Sequence, residues 1–153
     1  MKAMYPLSAY ASPREAMMRL TTDAFFTCQS ARLARLLARN QREPVYRYLF
    51  THALENDPEL RAQRAVHTVE HVFFFPWQGR YRPTAADEAV QHLMVGHWSR
   101  FAATGTPAGT PPWPPVGGDS AYLVIGANPV VRHGTSEAKC DFWDGVTLPS
   151  PHL

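Results

Sequence analysis

No apolar run in this sequence reaches the roughly 18 residues that a membrane-spanning helix requires, and residues 1–10 lack the charged start and apolar stretch of a secretory leader. No membrane span is therefore expected, and any export signal is expected outside this chain. Lysine is nearly missing, present only at Lys2 and Lys139, and the 15 basic residues are scattered rather than blocked. With a net charge of +2 the chain offers no basic patch for phosphate backbones, so no nucleic-acid partner is expected. Two cysteines, Cys28 and Cys140, are too few for a disulfide-dense scaffold or an all-thiolate zinc site. On composition alone they could form one long-range bridge or stay free. What is present suffices for a core: 45% of the 153 residues are hydrophobic and 18% charged, enough for one domain or a piece of a larger one.

Ser12, Pro13 and Glu15 form a helix start, with a capping serine, proline at the first helical position and a glutamate able to close a capping box. Met17, Leu20 and Ala24 continue an apolar face from there. A second helical stretch from about Ser30 to Asn40 is predicted to turn Leu33, Leu36 and Leu37 toward the core and Arg32, Arg35 and Arg39 toward water. After Pro44 the run Val45 to Phe50 is aromatic and β-branched without alternation, as in a strand buried on both faces. The polar stretch Thr51 to Arg64, with Asn56-Asp57-Pro58 as a turn signal, reads as a loop leaving that strand, where α/β sheets carry their chemistry.

The spacing of Val90, Leu93, Met94, His97, Trp98 and Phe101 predicts one long helix from Thr84 to Thr104, with a Thr84–Asp87 capping box and a Gly105 stop. Gly96 within it suggests a close packing contact. Proline then forbids regular structure from Thr106 to Pro115, and Ala121 to Ile125 and Val130 to Arg132 read as two short strands around a Gly126 to Pro129 turn. The class is α/β.

Two constellations carry chemistry. His67 to His71 reads H-T-V-E-H and matches H-x-x-E-H, in which two histidines one helical turn apart bind zinc while Glu70 would activate water; a third ligand is then required, and none is obvious. The other is acyl transfer, in which a histidine takes the proton of a serine and returns it to the leaving alcohol. The G-x-S-x-G elbow for that serine is absent, and Ser8, Ser12, Ser30, Ser99, Ser120, Ser136 and Ser150 all lack its context. His67 is the candidate base because it follows the buried strand. His97 lies on an apolar helix face, and His52, His92, His133 and His152 look incidental.

Several segments, in order, resemble the end of a type B carboxylesterase or cholinesterase: D-A-F-F-T-C at 23–28, P-V-Y-R-Y-L-F at 44–50, A-V-H-T-V-E-H-V-F-F-F at 65–75, M-V-G-H-W-S-R-F-A-A-T-G-T-P at 94–107, Trp113-Pro114, and C-D-F-W-D at 140–144. The resemblance implies the C-terminal portion of a single α/β hydrolase domain over residues 1–153: a late parallel strand at Tyr46 to Phe50, a catalytic-histidine loop, a long amphipathic helix and short C-terminal strands. It implies that His67 is the triad histidine and Glu70 the acidic residue one turn later, with the serine elbow and triad acid upstream. His71 then needs no metal role. The implied reaction is hydrolysis of a small-molecule carboxylic ester through an acyl-serine, without metal or cofactor. The alternatives are a non-catalytic module or a degenerate remnant. The family usually has glycine after its catalytic histidine, where this chain has Thr68, so either the turn is ordinary or the site is altered.

The resemblance also implies a Cys28–Cys140 disulfide. Such a bridge would point to a periplasmic or secreted protein, and free thiols to a cytoplasmic one. A chain lacking its upstream part is expected to be inactive alone and to self-associate through uncovered apolar surface and strand edges.

Overall fold

The computed structural model describes residues 2–134 and 137–146. After a 3-10 turn at Leu7–Ala9, the elements in chain order are α1 (Pro13–Thr22), a π turn (Asp23–Thr27), α2 (Cys28–Asn40), β1 (Tyr48–Phe50), α3 (Pro58–Gln63), a 3-10 helix (Val69–Phe74), α4 (Ala85–Thr104), β2 (Tyr122–Ile125), β3 (Val130–Arg132) and α5 (Glu137–Asp144). They fall into two compact units. One comprises Met1–Arg47, Val116–Ser120 and the segment from His133 onward; the other comprises Tyr48–Pro115 and Ala121–Arg132.

In the first unit, α1 starts as its sequence dictates. The Ser12 hydroxyl accepts from the Glu15 amide at 3.1 Å, and the Glu15 carboxylate reaches back to the Ala11 amide at 2.9 Å. The helix passes through the π turn into α2. Asp23, in that turn, is fully buried and its Oδ2 accepts from the Tyr5 hydroxyl and Arg19 Nε, each at 3.1 Å. The core is Tyr5, Ala24, Cys28, Cys140 and Trp143, with the Trp143 indole N–H donating to the Tyr5 hydroxyl at 2.7 Å. The implied disulfide is present: the sulfurs of Cys28 and Cys140 are 2.01 Å apart and close a loop with a sequence separation of 112. Cross-linking a loop of that length stabilises the fold by about 4–5 kcal/mol in the chain-entropy account.

One expectation for α2 is reversed. Leu33, Leu36 and Leu37 are 57%, 52% and 41% exposed, and the buried residues are Cys28, Ala31 and Ala34. The bridge draws α5 against the small-residue face, where close approach is possible, and turns the leucines outward. Arg35, expected in water, instead pairs with Asp144 at 3.1 Å. Met17 on α1 is likewise exposed.

In the second unit, β1 pairs in parallel with β2 in the register Tyr48–Leu123, Leu49–Val124 and Phe50–Ile125, and β2 pairs antiparallel with β3. The two C-terminal strands lie where their patterns put them. β1 is shorter than its aromatic run, starting at Tyr48, and its residues are half-buried rather than buried on both faces; the Val45 carbonyl is taken instead by the Val116 amide at 2.7 Å. The segment read as a loop from Thr51 to Arg64 contains α3. Its turn signal is a helix start, with the Asp57 carboxylate accepting from the Glu59 and Leu60 amides and Pro58 at the first position.

α4 has the Thr84–Asp87 capping box and ends at Gly105 with φ 74°. Its inward stripe is Asp87, Val90, Met94 and His97; Trp98 and Leu93 are half-buried, while Phe101, expected inside, is 44% exposed. A methyl at Gly96 would meet nothing within 4 Å, so the close contact expected there is not made. Burying Met94 completely stabilises this unit by about 1.5–3 kcal/mol.

Candidate active site

All of the candidate chemistry lies in the second unit, on the excursion that leaves β1 and returns at α4. Past α3 the backbone turns at Arg64, whose φ of 60° and ψ of −152° fall in a region that glycine alone adopts freely. The Val66 amide donates to the Arg64 carbonyl at 3.0 Å, and the Val69 amide to the Val66 carbonyl at 3.2 Å. His67 stands exposed on this turn. Thr68, next to it, has φ 76° and ψ −8°, the left-handed conformation that costs a β-branched residue about 1–2 kcal/mol relative to right-handed backbone. Of the two readings of the turn, the ordinary one is wrong: the backbone has a glycine's shape with a threonine in it.

The 3-10 helix begins directly after Thr68 and fixes the rest of the segment. Phe73, fully buried, packs its ring against Phe50, His52 and Trp77 at centroid distances of 5.3, 5.5 and 5.2 Å. Phe74 meets Trp98 at 5.1 Å, and Nε2 of the Gln91 side chain on α4 donates to the Phe75 carbonyl at 2.6 Å. Glu70 is half-buried in the first turn. It is close enough to Tyr48 that, after burial, its charge is the next cause holding the Tyr48 hydroxyl above the usual tyrosine range. His71 is exposed. His67 and His71 do not share a regular α-helical face, because the left-handed Thr68 lies between them. Among the described residues no three His, Cys, Asp or Glu side chains form a group that could hold a metal ion.

His52, which looks incidental from sequence alone, is the most heavily built of the histidines in this unit. His52 is buried, and its Nε2 lies 2.7 Å from Oδ1 of the fully buried Asp87. The other carboxylate oxygen accepts from the Tyr81 hydroxyl and the Thr84 amide, each at 2.7 Å, and from the Thr84 hydroxyl at 3.0 Å. Burial alone would raise the Asp87 carboxyl; the donors from Thr84, Tyr81 and His52 outweigh it and hold it below the usual carboxylate range. Asp87 was legible as a capping residue. Nothing in the sequence pairs it with a histidine 35 positions away.

A parallel β-α-β connection is the unit of α/β folds, whose ligand sites characteristically lie beyond the carboxyl ends of the strands. The narrower assignment comes from comparison. The profile of the Carboxylesterase family matches residues 3–143, and the chain belongs to that family. It is 33% identical to Carboxylesterase 3 of Pongo abelii over 143 residues, covering 84% of this chain and 24% of that protein. It is 32% identical to Carboxylesterase 3 of Homo sapiens over 151 residues, 89% of this chain and 26% of that protein. To Acylcarnitine hydrolase of Mus musculus it is 31% identical over 113 residues, 69% of this chain and 20% of that protein. The chain thus spans about a quarter or less of the length of these relatives. The family implies an α/β hydrolase fold.

Proposed function

We propose that this chain supplies the acid–base histidine, His67, of a serine carboxylic ester hydrolase whose nucleophile and triad acid lie in sequence beyond it. The supporting observation is the turn itself. His67 is exposed after β1 and flanked by two backbones in glycine-like conformations, the kind of strain that gathers at reactive sites. In the reaction, the imidazole takes the proton of a serine hydroxyl as its oxygen attacks the ester carbonyl. It then gives that proton to the departing alcohol, leaving an acyl-serine. Water attacks the acyl-serine with the same histidine as base, releasing the acid and restoring the serine. Glu70 supports the histidine turn and takes no proton in this scheme. The substrate is a small ester, and no cofactor is required. Since the bridge persists only where thiols are not kept reduced, we place the protein in the periplasm or outside the cell.

One observation favours a second reading, a non-catalytic relative: Thr68 is left-handed, with φ 76°, at a position where the family resemblance calls for glycine. A p-nitrophenyl ester assay separates the two readings. The purified chain is expected to show no turnover sensitive to serine-directed inhibitors. A polypeptide joining it to its G-x-S-x-G-bearing upstream sequence is expected to turn over, and to lose at least a thousandfold in kcat/KM on His67→Ala. Unchanged turnover in that variant removes His67 from the reaction.

A further inference from the structure

The segment from Thr51 to Thr84 is long, carries two strained residues, Thr68 directly after His67 and Arg64 three positions before it, and has little regular structure beyond α3 and the 3-10 helix. Such conformations persist only where their surroundings over-determine them. Its two ends are tied together by polar contacts. Tyr81 donates to Asp87 and its hydroxyl accepts from the Asn56 amide at 3.1 Å. The Asn56 side chain donates to the Arg82 carbonyl at 2.9 Å, and the Thr84 hydroxyl to Glu55 at 3.1 Å. Two members of this group also touch the middle of the segment: the Tyr81 ring meets Trp77 at 5.7 Å, and His52 reaches Phe73 directly. The His52 Nε2 faces Asp87, while its ring stands edge-on to Phe73, the buried anchor of the 3-10 helix that starts immediately after the His67 turn. Moving His52 therefore loosens the base of the excursion and its internal anchor together.

We infer that His52, held by Asp87, is a positioning residue for His67: it fixes the turn on which the exposed imidazole stands and holds Arg64 and Thr68 in their strained conformations. The functional sense of this rests on the reading of His67 as the acid–base residue, but the structural claim is tested without catalysis. In the purified chain, backbone amide exchange and the ring resonances of His67 are followed by nuclear magnetic resonance. His52→Ala is expected to speed exchange at residues 64–72 at least tenfold and to shift or broaden the His67 signals. His52→Gln, whose amide can still donate to Asp87, is expected to restore slow exchange, a rescue that simple filling of space would not give. Should His52→Ala fail to fold, Tyr81→Phe, which removes one hydroxyl from the same carboxylate, is expected to act in the same direction with smaller amplitude. His133→Ala, which removes a surface contact to Asp119 in the other unit, is expected to leave both readouts unchanged. Exchange and His67 signals unaltered in His52→Ala or Tyr81→Phe overturn the inference, as does a His52→Gln chain as loose as the alanine variant. Loss of activity plays no part in these readouts, so a failed assignment of His67 as catalytic stays distinguishable.

Discussion

At position 68 a single side chain sets the cost of the turn. The backbone there is left-handed, and glycine would adopt it at little cost. Thr68→Gly trades the threonine's penalty of about 1–2 kcal/mol against the extra unfolded-state freedom of glycine, about 0.5–1 kcal/mol. A net gain of roughly 0.5–1 kcal/mol is the expected outcome, read as a higher urea midpoint with unchanged m; a lower midpoint would show that the threonine side chain earns its place by contacts instead. Sequence reasoning could mark this position, because the family pattern calls for glycine there, yet could not say which conformation the turn takes. Nor could it find His52, whose significance depends on two partners, Asp87 and Phe73, brought in by tertiary folding.

Helix starts were the most legible elements. Ser12 and Thr84 both cap the helices that their local sequences announce, because capping is settled within four residues and owes little to the rest of the fold. Asp57-Pro58 suits a turn and a helix start alike for the same local reason, and here it opens α3. Which side of a helix faces inward is another matter, and α2 shows why. The leucines have the stronger claim to burial by hydrophobicity, but the residues that let another helix approach to disulfide distance are Cys28, Ala31 and Ala34. The outward side of α1, the π turn and α2 thus presents Met17, Phe25, Phe26, Leu33, Leu36 and Leu37. An apolar surface of this extent favours association in water. The isolated chain is expected to elute and scatter light as oligomers, and Leu33→Glu combined with Leu36→Lys to shift it toward monomer. A wild-type chain that stays monomeric at tens of micromolar would refute this.

For the molecule as a whole, acid lowers stability, and the direction follows from two buried groups. Burial holds His97 neutral and lowers its protonation below the usual histidine range, opposed by the Pro111 carbonyl. The unfolded chain protonates that ring near pH 6.5, so below about 6.5 the unfolded state binds more protons and stability falls until the folded value is passed. Asp87, whose folded value is also lowered, stabilises the chain above about pH 3.9 and loses that contribution as pH falls further. Melting temperature against pH should therefore decline in two stages. His97→Leu is expected to flatten the upper stage and leave the lower one; an unchanged slope between pH 5 and 7 would assign the upper stage to other histidines.

The bridge between α2 and α5 also decides how the chain meets mechanical load. If tension is applied at Lys2 and Val146, it passes from one helix to the other through a single covalent bond, and residues 29–139 bear none of it. The sheet, the histidine turn and the polar clasp all lie inside that bypassed stretch. A molecule pulled in this way yields only its short tails; cutting the bond by reduction would release roughly 370–400 Å of further extension.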